Sequence, residues 1–197
     1  MLGPSSAARW LTCTASVEMA AKAPKPKESD FAREGTIAHS LAEVEARREF
    51  QLPGHESYEA DTSKVRAELL DFLGGDEQAA KREYEAMQDY VAWYLDILEK
   101  AKGEDGALML EQRLDTGIPG CWGTSDAVVI RGDMIHVIDL KYGRGVEVSP
   151  AENPQFMLYA LGALKAYRDT LEKTRRVRMT VFQPRINNVD TWEISVE

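Results

Sequence analysis

Two hydrophobic periods divide this chain. In "SSAARWLTCTASVEMA" the apolar positions Trp10, Leu11 and Val17 recur at mixed helical spacing, and Ser5 or Ser6 is placed to cap a helix. "KAPKPKESD", with two prolines and scattered charge, reads as a loop. Helical spacing resumes in "EGTIAHSLAEVEARREF" through Ile37, Leu41 and Val44, with Thr36 as the expected cap. Beyond a loop at Pro53 and Gly54, residues from about 63 to 102 carry two helical stretches separated by Gly74 and Gly75. The second holds Tyr90, Val91, Tyr94, Leu95 and Leu98.

From Ala107 the period shortens. "ALMLEQRL", "CWGTSDAVVI" and "DMIHVIDLK" are short, apolar and rich in β-formers, and Arg131-Gly132-Asp133 between the last two reads as a hairpin turn rather than an adhesion signal. These segments predict an antiparallel meander. Asn153 then caps a helix with Pro154 at its first position, and "QFMLYALGALKAY" keeps apolar residues at helical intervals. "VRMTVFQP" and "DTWEISV" complete the strands. The expected fold is α/β, a central mixed sheet flanked by helices with an N-terminal helical elaboration. Residues 1–105 are mainly helical and 106–197 supply the sheet, together one domain.

Composition narrows the classes. With 197 residues, 44% hydrophobic and 29% charged, the chain can bury a substantial core. No apolar run approaches the roughly 18 residues a membrane span needs, and the N-terminus lacks a basic-then-apolar leader, so no membrane role and a cytoplasmic location are expected. Cys13 and Cys121 are too few for a four-thiolate metal site. A net charge of −9 opposes indiscriminate nucleic-acid binding, which needs Lys and Arg against phosphate. Lys173, Arg175, Arg176 and Arg178 form a basic run, either a solvated face or a track for a phosphate backbone.

The chemistry gathers at "IHVIDLKYGRG". An apolar strand ends on Asp139 and Lys141 with Leu140 between them, and strand alternation puts the two charges on one face. Asp126 lies near the end of the preceding strand, which a tight hairpin brings alongside. Two carboxylates and a backbone carbonyl, that of Leu140, form an oxygen set suited to Mg²⁺ or Mn²⁺, and a lysine beside them suits a reaction at phosphate. A strand-end salt bridge explains the same spacing.

Taken together, "GTSDAVVI", "HVIDLKYG" and "NPQFMLYALG" resemble the PD-(D/E)XK nuclease superfamily, in its RecB-like branch with the lambda-type exonucleases, and most closely phage-encoded members that open on "PSSAARWLTC"-like sequence. The resemblance implies a restriction-endonuclease-like core. Its acids correspond to Asp126 and Asp139, its lysine to Lys141, and its helix motif to Gln155 and Tyr159. "GTIAHSLAE" resembles the branch's helix motif, which makes His39 a further metal ligand. Glu43, one turn later on the same face, is either a helix-surface acid or a group that binds the metal or orients His39. Arg144, between Gly143 and Gly145, lies in a flexible loop that is either an ordinary turn or an approach to phosphate. Some relatives carry an iron–sulfur cluster; Cys13 stands where one of its cysteines would, but the partner cysteines are missing, so no cluster is expected. The resemblance implies a Mg²⁺- or Mn²⁺-dependent deoxyribonuclease. The narrower expectation is an exonuclease in phage DNA recombination or end processing, as a ring-like homo-oligomer with a recombination partner protein. The alternatives are a non-catalytic DNA-binding or assembly protein that keeps the fold, and a metal-dependent enzyme acting on another phosphate substrate.

Overall fold

A computed structural model of the chain describes residues 2–24, 27–167 and 174–196. Among the described residues its α-helices precede Gly103 except for one. They are α1 (Ala7–Thr12), α2 (Ala15–Lys22), α3 (Asp30–Glu49), α4 (Tyr58–Phe72) and α5 (Glu77–Lys102). The strands follow as β1 (Ala107–Asp115), β2 (Trp122–Arg131), β3 (Met134–Leu140), β4 (Arg176–Gln183) and β5 (Asn188–Ser195), with α6 (Pro154–Ala166) between β3 and β4. They form one mixed sheet in the order β1-β2-β3-β4-β5. β1, β2 and β3 make the expected antiparallel meander, whereas β3 and β4 run parallel, as the α6 crossover requires. β5 pairs antiparallel with β4.

Local sequence sets most of the helix ends. Asn153 accepts the Gln155 amide at 3.0 Å with Pro154 at the first helical position, and Asp76 caps α5 through the Ala79 amide. The start of α3 corrects the sequence reading. Its cap is Ser29, accepting from the Ala32 amide at 3.2 Å, so the helix opens two turns before Thr36. The Thr36 hydroxyl instead donates back to the Ala32 carbonyl inside the helix. The first helical segment also divides, since Cys13 breaks it into α1 and α2.

The sheet is covered on both faces. On one, α3, α4 and α5 pack Ile37, Leu41, Leu69, Met87 and Leu98 against Leu108, Leu110, Ala127, Val129, Ile138 and Leu140. On the other, α6 lays Phe156, Tyr159 and Ala163 over Leu114, Val128, Val137, Val177, Met179 and Val181. Each fully buried side chain in such a layer contributes about 1.5–3 kcal/mol. Among the described residues no helix is long and apolar enough to cross a membrane.

Candidate functional site

The chemistry-bearing residues meet at the sheet end where β3 finishes. Their placement depends on a reversal of strand alternation. Leu108 and Leu110 pack toward α3 and α5, but Leu114, also even-numbered, packs toward α6. Between them lies Glu111 in a left-handed conformation, φ 49°. On β2, Ala127 and Val129 face α3 and α5, whereas Gly123 meets Tyr159 of α6. The register steps over the pair Glu111 and Asp126 on both strands. The kink therefore turns Glu111 and Asp126 to the α3 face beside Leu110 and Ala127, where regular alternation would have turned them away.

Six elements contribute to the site. His39 of α3 places Nδ1 3.3 Å from Asp126 Oδ1. Oδ2 of the same carboxylate accepts the Leu140 backbone amide at 2.7 Å. Asp139 is 3% exposed; its Oδ1 accepts from Gln155 Nε2 of α6 at 3.2 Å, and Lys141 Nζ lies 2.7 Å from its Oδ2. That Oδ2 has the lysine's charge beside it but no directed hydrogen bond. One ligand atom each from His39, Glu111 and Asp126 falls within 4.8 Å of the other two. Tyr94 of α5 lines the same small cavity with Leu140, and its buried hydroxyl lacks a partner.

Charge crowding follows from this geometry. Burial works against a charged His39, but Asp126 above all, then Asp139 and Glu111, outweigh it and raise its pKa to about 9. Burial, then the Asp126 and Glu43 charges, push Glu111 up to about 7. Asp139 is also raised, by burial first and by Asp126 second, against the pull of Lys141. Burial and the Asp139 charge hold the Tyr159 hydroxyl neutral. Three acids and a histidine crowded together, next to two buried oxygens lacking hydrogen-bond partners, form a donor set that fits a hard divalent cation.

The remaining predicted residues are placed less simply. Tyr159 shares the inner side of α6 with Gln155 and is buried. Glu43 lines the cavity but gives its carboxylate to Arg47, at 2.6 and 2.8 Å, rather than to His39. Arg144 is exposed in the loop after Lys141, which Gln183 anchors by accepting the Val148 amide at 2.7 Å. Arg175, Arg176 and Arg178 lie elsewhere. Arg176 pairs with Met134 while Phe182 pairs with Leu140, so the basic run sits at the opposite end of β3 from the carboxylates, about 20 Å away. Arg176 is bound to Asp133 and Glu193, and Arg178 to Glu193. Lys173 lies outside the described residues.

Sequence reading missed two groups here. Glu111 was hidden because a single acid in a strand carries no period of its own. The other is the Arg185–Glu34 ion pair, 2.6 Å long and largely buried, with the guanidinium 4.9 Å from the Tyr142 ring. It joins α3 to the turn after β4 and, through the ring, to the segment after Lys141.

The family described as "Protein of unknown function (DUF2800)" matches residues 1–197, and the chain belongs to it. A solved structure titled "Crystal structure of SSO0001" aligns over 92% of this chain and 74% of its own at 14% identity, with a TM-score of 0.27; at that score the likeness establishes neither fold nor function.

Proposed function

We propose that this DUF2800 chain is a Mg²⁺- or Mn²⁺-dependent DNA nuclease with a restriction-endonuclease-like core. The observation that carries the reading is the convergence of Asp126, Asp139 and Lys141 at one sheet end with His39 arriving from a separate helix. A salt bridge alone needs neither the third acid nor the histidine. His39, Glu111, Asp126 and Asp139, with the Leu140 carbonyl, are the residues that would hold the cation. When bound, it would supply Lewis-acid stabilisation of charge on the phosphate and lower the pKa of the attacking water.

The chain's own residues do the rest. Lys141 Nζ, fixed against Asp139, presents a positive charge where negative charge grows at the phosphate in the transition state. Gln155 holds Asp139 by its other oxygen, and Tyr159 packs that helix face against β2. The buried floor of Tyr94 and Leu140 excludes bulk water, which strengthens each of these charges.

The resemblance favours a phage exonuclease acting in recombination or end processing, as a homo-oligomer with a partner protein. Linear and closed-circular DNA, single- and double-stranded, incubated with Mg²⁺, Mn²⁺ or EDTA, test the reading. Metal-dependent loss of linear substrate with survival of the closed circle is expected. DNA binding with no cleavage under any metal would instead support the non-catalytic DNA-binding or assembly alternative.

A further inference from the structure

The kink that turns Glu111 and Asp126 toward α3 carries the rest of β1 and β2 with it. Leu114 and its partner Gly123 face α6, where a Cβ on Gly162 would meet Leu114 at 2.8 Å and a Cβ on Gly123 would meet Tyr159 at 3.0 Å. Arg113, its partner Thr124, and Trp122 therefore face the other way, on the surface that holds the acids. There, among the described residues, no helix covers the sheet. Arg113 and Thr124 are exposed, and Trp122 is half-buried.

The Arg113 guanidinium stacks on the Trp122 ring at 3.8 Å from its centroid. This is the shortest of the cation–ring contacts among the described residues. Unlike Arg176 and Arg178, which Asp133 and Glu193 neutralise, Arg113 has no ion-pair partner among the described residues. The nearby acid, Asp115, is already taken by Lys165 at 2.7 Å and by the Gly117 amide. The pair borders a depression of about 380 Å³. In a chain of net charge −9, a planar cation held flat by an aromatic ring, its donors unspent, beside a neutralised acid, is arranged for an anion that also has a flat face.

Placement selects the occupant. Arg113 is two residues from Glu111, about 7 Å along β1, and Trp122 is four from Asp126, about 13 Å along β2. These spans match the first nucleotides of a strand leaving the acidic cluster. We propose that Arg113 and Trp122 form a stacking platform that takes the bases and a phosphate of a single DNA strand next to the cleavage point. The platform rests on the nuclease reading, and it moves the strand contact from the basic run at 173–178 to this ridge.

The test measures binding of a labelled single-stranded oligonucleotide and of the same oligonucleotide with abasic sites, by fluorescence anisotropy with Ca²⁺ in place of Mg²⁺. The wild-type chain is expected to prefer the intact strand. Trp122→Leu and Arg113→Lys, the second of which keeps the charge and loses the plane, should each bind the intact strand about fivefold or more weakly and lose most of the preference over the abasic strand. Arg113 is exposed, so Arg113→Lys reports even where Trp122→Leu fails to fold. A wild-type chain that cuts DNA with Mg²⁺ but binds intact and abasic strands alike, or variants that keep the wild-type preference, would overturn the platform and leave the nuclease reading standing. A wild-type chain that neither binds nor cuts DNA would overturn both.

Discussion

Asp126 accepts the Leu140 backbone amide at 2.7 Å, beyond the last paired residues of the β2–β3 ladder, Ala127 and Ile138. A carboxylate thus takes the place of a ladder carbonyl. One oxygen holds the end of β3 in position, and the other is left to face His39. The strand end and the candidate cation site are consequently one construction, and changes at Asp126 can be separated by which oxygen they disturb.

Asp126→Asn keeps an oxygen for the Leu140 amide and removes the charge. Mg²⁺ affinity measured by titration calorimetry should collapse and cleavage should be lost, while the metal-free melting temperature changes little at neutral pH, because relief of the repulsion among the acids offsets the lost ion pair with His39. Asp139→Ala should also abolish cleavage with the fold intact. An Asp139→Ala protein that cuts at the wild-type rate with Mg²⁺ would remove that residue from the site.

Lys141 distinguishes chemistry from a salt bridge. If its partnership with Asp139 were structural only, Lys141→Met would leave a buried carboxylate unpaired and cost up to about 3–5 kcal/mol of stability, with little change in cleavage by the protein that remains folded. With the ammonium placed for phosphate chemistry, single-turnover cleavage should slow about 10²-fold or more while Mg²⁺ and DNA binding persist. A rate within a few-fold of wild type would decide for the salt bridge.

The metal-free protein should lose stability as pH rises. His39 has its folded pKa raised from 6.5 to about 9, so its contribution is complete below 6.5 and disappears as pH passes 9. Glu111, raised from 4.5 to about 7, acts in the same direction over a lower window, its protonated form being the one the fold prefers. His136 has the opposite sign. Burial pulls its pKa down to about 3 while Nε2 bonds Thr180 at 2.8 Å, so it costs stability only as pH falls below 6.5. Between pH 6.5 and 9, melting curves in EDTA should therefore decline for wild type and flatten for His39→Gln. Saturating Mg²⁺ should reverse the decline, because a cation replaces the proton. A wild-type slope retained in His39→Gln would assign the titration elsewhere.

Two packing substitutions test the layers that hold the site. Leu69→Ala, at a fully buried position of α4 remote from the acids, should cost about 2–5 kcal/mol in chemical denaturation without changing cleavage by the protein that remains folded. Gly123→Ala is different, since its Cβ would come within 2.9 Å of the Pro4 ring and 3.0 Å of Tyr159. It should lower stability by about 1–3 kcal/mol and slow cleavage as well, by displacing the helix that carries Gln155.

Features that depend on a few neighbouring residues were legible in the chain itself. The Asn153-Pro154 helix start, the three-strand meander and the two closing strands follow from caps, turns and period-two alternation, which are short-range physics. The pairing of Asp139 with Lys141 was likewise written in their spacing. Even local signals compete, however. Ser29 and Thr36 both offer a cap oxygen, and the earlier one prevails because the helix can extend to it.

Tertiary structure decided the rest. Nothing in "MLEQRL" marks Glu111 as the residue that adopts a left-handed backbone, so alternation alone sends Asp126 to the wrong face. Only the opposed demands of the α3–α5 layer on Leu110 and the α6 layer on Leu114 require the kink. The basic run looked free in sequence because its neutralising partners, Asp133 and Glu193, come from other strands, while Arg113 drew no notice because its ring partner stands on β2. Charge and chemistry are properties of what lies opposite, and what lies opposite is fixed by strand register and by which layer each side chain must fill.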